Sequence, residues 1–221
     1  MTASGTPLDA AAVGECLERL RALGYRSVLT SAMAEREQPV FAEQGFVVRE
    51  RLHLLSLELG DEPMPSTKVV VDTVGRDEYD DVLALDRRAF TPFWRLEAGG
   101  LRDALVATVA CQFRATRDDA ARADTRTGRR VSRRSTRITG YAITGWAGTD
   151  AYLQRIAVDP CEHGNGYGRA LVDDALHFAW REGAHRVFVN TQADNDRALA
   201  LYEARGFRLR PPGLSVMERA L

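Results

Sequence analysis

Ile156-Ala-Val-Asp-Pro-Cys-Glu-His-Gly-Asn-Gly-Tyr-Gly-Arg-Ala-Leu-Val172 decides how the chain is read. An apolar run enters a glycine-rich turn, and the turn opens an amphipathic stretch. Glycines at 164, 166 and 168 remove Cβ atoms, so successive backbone N–H groups can converge on one anion. A helix starting near Gly168 adds the positive end of its dipole, and Arg169 adds a full charge. This is the outline of a pyrophosphate cradle. No Gly-Lys-Ser/Thr follows, so the loop is not of the Walker type, and the spacing is not G-x-G-x-x-G either. Taken alone, the pattern fits a tight turn as well as a phosphate site.

A second element lies downstream. Asn195-Asp-Arg-Ala-Leu-Ala-Leu-Tyr-Glu-Ala-Arg-Gly-Phe207 places Asn195 as a helix cap and Tyr202 two turns along the same face, with Gly206 suited to the left-handed end of the helix. With both elements in this order and a strand (Arg186–Thr191) between them, the chain resembles the GNAT superfamily of acetyl-coenzyme A-dependent N-acetyltransferases. The resemblance covers roughly residues 67–221 and is strongest from Tyr152 to Phe207. His163-Gly-Asn-Gly-Tyr-Gly168 stands at the family's Q/R-x-x-G-x-G/A motif. Asn195, Ala198, Leu201, Tyr202, Gly206 and Phe207 match N-x-x-A-x-x-L-Y-x-x-x-G-F. The nearest branch looks like the ribosomal-protein alanine acetyltransferases of the RimI type.

The resemblance implies a mixed α/β (α+β) fold, with a central sheet flanked by helices and strands splayed at the cofactor cleft. It implies that the backbone of Ile156, Ala157 and Val158 pairs with the pantetheine arm of acetyl-coenzyme A. His163 and the amides of Gly164, Asn165, Gly166, Tyr167, Gly168 and Arg169 would hold the pyrophosphate, and Asn195 would contact the arm. Tyr202 would be the general acid: once an amine attacks the thioester, a thiolate leaves and takes a proton. A phenol with an ordinary pKa near 10 supplies that proton while staying un-ionised at neutral pH. The plainer reading of Tyr202 is a packing tyrosine on an amphipathic helix. The implied reaction is direct transfer to a protein N-terminus, a lysine side chain or a small amine. The acceptor region would include Phe93, Trp94 and Glu97, although core or lid packing accounts for the aromatics equally well.

The chain departs from the pattern in two places. His163 replaces the usual Gln or Arg, and Asn190 stands where the RimI type carries a glutamate on the strand before the capped helix. Asparagine cannot be a base, and Tyr152 and Gln154 offer no carboxylate, so the base is unassigned. A non-catalytic acyl-coenzyme A-binding or sensing protein is therefore the alternative. Cys161 lies in the loop rather than at a nucleophile position, which argues against a covalent acyl-enzyme.

Composition bounds the rest. The 221 residues carry 30 basic and 31 acidic side chains, a formal charge of -1, which argues against coating nucleic acid or an anionic membrane over the whole surface. No apolar run reaches the roughly 18 residues of a spanning helix, and no apolar core follows a charged start. Cys16, Cys111 and Cys161 are odd in number and widely spaced, as in a reducing compartment, so a cytoplasmic protein is expected. The four histidines show no ligand spacing, and no metal is expected. Arg114 to Arg137 holds nine arginines and three aspartates, 9 − 3 = +6, between two expected antiparallel strands. A nucleic-acid or ribosome contact is one reading of that insert. It lacks interleaved aromatics for base stacking, so a solvated hairpin is preferred.

Gly60 to Ser66 has two prolines and no periodicity. Residues 1–60 are expected as a partial, degenerate GNAT-like repeat of structural role, 61–66 as a linker, and 67–221 as the catalytic domain. The repeat rests on an echo: Gly24-Tyr-Arg-Ser-Val-Leu-Thr followed by Phe41-Ala-Glu-Gln-Gly-Phe46 parallels Ala184-His-Arg-Val-Phe-Val-Asn followed by Tyr202-Glu-Ala-Arg-Gly-Phe207. The first copy lacks the glycine loop.

Overall fold

The computed structural model describes residues 9–60, 69–118 and 137–221; the expected linker and the middle of the arginine-rich insert lie outside them. In chain order the elements are α1 (Ala10–Ala22), β1 (Ser27–Leu29), α2 (Pro39–Ala42), β2 (Val47–Glu58), β3 (Val71–Thr73), α3 (Tyr79–Ala89), α4 (Ala98–Val106), β4 (Ala110–Arg117), β5 (Ile138–Ala147), β6 (Asp150–Val158), α5 (Tyr167–Arg181), β7 (Arg186–Gln192), α6 (Asp196–Ala204), β8 (Arg208–Leu209) and β9 (Leu214–Ala220). The class is mixed α/β. The chain divides into two compact units, residues 57–188 and residues 1–56 with 189–221.

In the 57–188 unit, β3, β4, β5 and β6 form an antiparallel run in that order. Helix α3 turns Val82, Leu83 and Leu85 inward, and its acidic first turn (Asp80, Asp81) and basic last turn (Arg87, Arg88) both oppose the helix dipole. These side chains meet Leu101 of α4 and Phe113, Tyr141, Ile143 and Ala157 of the sheet in one core. Neighbouring residues of a strand point to opposite faces, so Gly140, beside Tyr141, faces the other way, toward α5. A Cβ there would lie 2.9 Å from the Ala157 carbonyl and 3.1 Å from Leu171 Cδ1, which is why glycine occupies the position.

In the other unit, β9 is the middle strand. It pairs antiparallel with β1 on one side and with β2 on the other, and β8 continues along β2. Val13 and Leu17 of α1, Met33, Phe46 and Met217 pack together beneath it. Helix α1 starts where the Asp9 carboxylate accepts the Ala12 N–H at 2.7 Å, a cap of the usual type.

The echoed segments share local geometry. Helix α1 closes with Gly24 N–H to Arg21 and Tyr25 N–H to Leu20, and α5 with Gly183 to Trp180 and Ala184 to Ala179. Gly45 and Phe46 repeat the pattern onto Ala42 and Phe41, as Gly206 and Phe207 do onto Glu203 and Tyr202. All four glycines have φ between 78° and 91°, the left-handed value that this helix end requires. The glycines correspond as Gly24 with Gly183, one residue off the sequence pairing of Gly24 with Ala184.

One expectation changes, and strand β2 is an element that no expectation covered. The expected hairpin starts too early: β4 runs on through Arg117, and Arg114, Arg117 and Arg137 are tied down. Arg114 pairs with Asp174 at 3.3 Å, Arg117 with Glu78 at 2.6 Å and Arg137 with Asp159 at 3.2 Å. Three of the nine arginines thus serve the fold. The insert between residues 118 and 137 lies largely outside the described residues.

Deleting residues 1–60 should strip both neighbours from β9 and uncover Met217, which packs on Val13, Leu17, Met33 and Phe46. The remainder is expected to aggregate, and a soluble, monomeric 61–221 fragment on size exclusion would contradict this role for the N-terminal segment.

Candidate functional site

The glycine loop continues from β6. Ile156, Ala157 and Val158 pair with Ala142, Tyr141 and Gly140 of β5, and just upstream the register slips by one residue. Arg155 opposes Ile143 and Leu153 opposes Thr144, leaving Gln154 as the extra residue of a β-bulge. The Gln154 amide reaches Thr108 at 3.4 Å, and together they fill the space a Cβ on Gly145 would need.

Asp159 ends the strand, buried to 2% exposure. Its Oδ1 accepts the Cys161 N–H at 3.1 Å, which starts the Pro160–Glu162 turn. Its Oδ2 accepts from Arg88 Nη2 at 2.8 Å and Arg137 Nη1 at 3.2 Å. Burial alone would raise this carboxyl; the Arg88 and Cys161 hydrogen bonds and the two guanidinium charges overcome it and hold the pKa below the usual range. The loop then passes exposed His163, whose Nε2 lies 3.3 Å from the Val158 carbonyl, and Asn165, which donates to Glu162 at 3.0 Å. Gly164 and Gly166 have φ of +88° and +83°, conformations a side chain would strain. Open space surrounds both where a Cβ would stand. Tyr167, Gly168 and Arg169 form the first turn of α5, where backbone N–H groups have no intrahelical acceptor. The Arg169 side chain is 67% exposed and 3.8 Å from Asp173. Donor-rich, open and left-handed at two points, this loop has the chemistry of an anion cradle.

The aromatic segment lies in the same unit. Phe93 and Trp94, both half-buried, meet edge to face with ring centroids 4.9 Å apart. Glu97 is exposed at the start of α4. Phe90 packs on the core and is thus structural. Sequence reading missed what fixes this segment, the buried carboxylate of Asp86 with Arg155 and Tyr141. The signal was a lone acid on the apolar stripe of α3, four residues after Val82.

In the other unit, Asn195 caps α6, its Oδ1 accepting the Ala198 N–H at 3.1 Å. Tyr202 is 2% exposed on that helix and packs on Phe207 at 5.7 Å. Burial pushes its phenol well above the ordinary value, so it stays protonated. Asn190 is exposed on β7. Among the described residues, no group of three or more His, Cys, Asp or Glu is placed to hold a metal, and no helix is long and apolar enough to cross a membrane.

The acetyltransferase (GNAT) family profile matches residues 76–207, more than half of the chain, and the protein belongs to that family. Among curated proteins, it is 35% identical over 71 residues to the [ribosomal protein bS18]-alanine N-acetyltransferase of Escherichia coli K12, covering 32% of this chain and 48% of that one. It is 37% identical over 79 residues to the N-alpha-acetyltransferase RimI of Mycobacterium tuberculosis, covering 32% and 48%. A mycothiol acetyltransferase of Kocuria rhizophila is 42% identical over 52 residues, 24% of this chain and 17% of that one. The chain thus spans half or less of the curated relatives it matches. Among solved structures, a tandem GNAT protein from the clavulanic acid biosynthesis pathway superposes with a TM-score of 0.65 at 15% identity, covering 95% of this chain and 69% of the other. The Thermoplasma acidophilum PaiA N-acetyltransferase in complex with coenzyme A gives 0.52 at 11%, covering 70% and 100%. At such identities these two show the shared fold.

The Asp159 contacts carry a pH signature. A carboxyl depressed in the folded state stabilises fully above its unfolded pKa, near 3.9, and that stability is lost as pH falls through the lower folded value. The stability gap between the native protein and Asp159→Asn, from denaturant melts, should be constant near neutrality and narrow below about pH 4. A gap flat down to about pH 2 would contradict the depressed carboxyl.

Proposed function

We propose that the protein transfers an acetyl group from acetyl-coenzyme A directly to an amine. The observation that carries this reading is the strand–loop–helix of Ile156–Arg169, lying wholly within the stretch matched by the acetyltransferase (GNAT) family. Its residues fit a pyrophosphate: two left-handed glycines with open space around them, an uncapped helix start, and a cation at Arg169. In this reading His163 and the amides from Gly164 to Arg169 hold the pyrophosphate, and the backbone of Ile156, Ala157 and Val158 together with Asn195 receives the pantetheine arm. The co-substrate supplies an activated thioester whose thiolate leaves on attack.

Tyr202 is assigned the proton that the thiolate needs. The support is its place in the N-x-x-A-x-x-L-Y pattern and a burial that keeps the phenol protonated. Phe93, Trp94 and Glu97 are assigned to the acceptor. The order of preference for that acceptor is a protein N-terminus, then a lysine, then a small amine, supported by the two partial matches to N-terminal acetyltransferases. The base stays unassigned, because Asn190 offers no carboxylate. Residues 1–60 are read as a degenerate GNAT-like repeat of structural role, joined by a linker at 61–66 to a catalytic domain at 67–221.

Tyr202→Phe decides the acid role. The rate of acetyl transfer should fall roughly 100-fold or more while coenzyme A binding, measured by calorimetry, stays within about twofold. The native enzyme should show no alkaline fall in kcat from this group below about pH 10. Unchanged turnover in the variant would remove the assignment. A native protein that binds acetyl-coenzyme A but acetylates no amine would instead be an acyl-coenzyme A-binding protein.

A further inference from the structure

We propose that Asp86, Arg155 and Tyr141 are positioning residues that lock the Phe90–Leu96 segment to strand β6 and so set the affinity for the amine. This rests on the acetyl-transfer reading and its acceptor at Phe93 and Trp94. Asp86 has no exposed surface, although it is charged and sits on the apolar stripe of α3. A buried carboxylate is tolerated only when donors replace its water, and a well-packed apolar residue in its place is often as stable or more so. Packing alone therefore gives no reason for an ion pair here. Its partners do.

Oδ1 of Asp86 accepts the Leu96 backbone N–H at 2.7 Å. Oδ2 accepts the Tyr141 hydroxyl at 2.5 Å and Arg155 from Nε at 3.0 Å and Nη2 at 2.6 Å. The same Nη2 donates to the Trp94 carbonyl at 2.6 Å, and the guanidinium lies 3.7 Å over the Phe90 ring. Three points of the segment, the Phe90 ring, the Trp94 carbonyl and the Leu96 amide, are thus referred to one carboxylate–guanidinium pair.

Arg155 follows the bulged residue Gln154 and immediately precedes Ile156–Val158. The bulge aims it, and the strand assigned to the co-substrate carries it. The acceptor segment is consequently indexed to that strand, not left as a free lid. Only arginine can serve all these partners, because a planar fork can donate to a carboxylate and a carbonyl while stacking on a ring. A lysine keeps the charge and loses the fork.

The test compares the native enzyme with Arg155→Lys and Tyr141→Phe. Three probes supply the amine: a peptide with a free N-terminal alanine, an N-blocked peptide with one lysine, and spermidine. KM for the best probe should rise roughly 10- to 100-fold in Arg155→Lys, with kcat changed less and coenzyme A affinity within about twofold. Amide exchange at Trp94 and Leu96 should quicken in Arg155→Lys while α5 exchanges as before. Tyr141→Phe keeps the ion pair, removes one donor, and should shift KM in the same direction by less. Faster exchange with unchanged KM would overturn the proposal, since the contacts would then be structural only; so would unchanged KM and exchange together. A native protein that binds coenzyme A yet acetylates none of the three probes would overturn the acetyl-transfer reading as well, and only that result does so.

Discussion

A carboxylate cut off from water must be met by donors, and in this protein that requirement fixes how helix α3 lies on its sheet. Asp86 takes its donors from β5, β6 and the segment leading to α4. Two residues along the same helix, Arg88 returns the favour with the signs exchanged, giving its guanidinium to the buried Asp159 at the end of β6. An amphipathic helix held only by apolar contact can slide by a ridge or rotate slightly at small expense. Two ion pairs of opposite polarity, one at the bulge and one at the loop entrance, remove that freedom. The acid on the strand also starts the glycine loop, through the Cys161 amide. Helix placement and loop shape thus depend on the same charges.

Much of this was legible in the sequence, and the reasons differ by element. The glycine loop could be read because backbone geometry leaves a direct mark: a left-handed residue is nearly always glycine, and Gly164, Gly166 and Gly206 all take that conformation. Asn195 could be read because capping is local, needing only an oxygen and an N–H three residues on. The long strand β2 escaped because its burial does not alternate: its first three residues are all exposed, and Leu55 and Ser56, adjacent in sequence, are both buried. The Asp86 cluster escaped because its partners are 10, 55 and 69 residues away. Nothing in a window of sequence says which arginine will find which acid. The arginines at 114, 117 and 137 misled for the same reason, since counting charge ignores the acids that neutralise it.

The repeated helix ending shows how little sequence a shared geometry needs. Gly24, Gly45, Gly183 and Gly206 close four helices with the same pair of crossing hydrogen bonds, although the residues around them have little in common. In two cases an aromatic pair follows, Phe41 with Phe46 and Tyr202 with Phe207. Only the second carries a hydroxyl. The scaffold for a phenol is present in both, and the chemistry assigned to it in one.

The pairing of β9 also sets an order of events in the cell. Strands β1 and β2 do not neighbour each other in their sheet; each lies beside β9, whose residues 214–220 leave the ribosome more than 150 positions after them. A nascent chain that has emitted β1 and β2 leaves the edges that face β9, and the apolar side chains that pack on Met217, without their partners until β9 arrives. Such long-range pairing closes slowly and exposes sticky intermediates meanwhile. The unit of residues 1–56 and 189–221 is therefore closed only once β9 has been made, its N-terminal strands waiting on a strand far downstream.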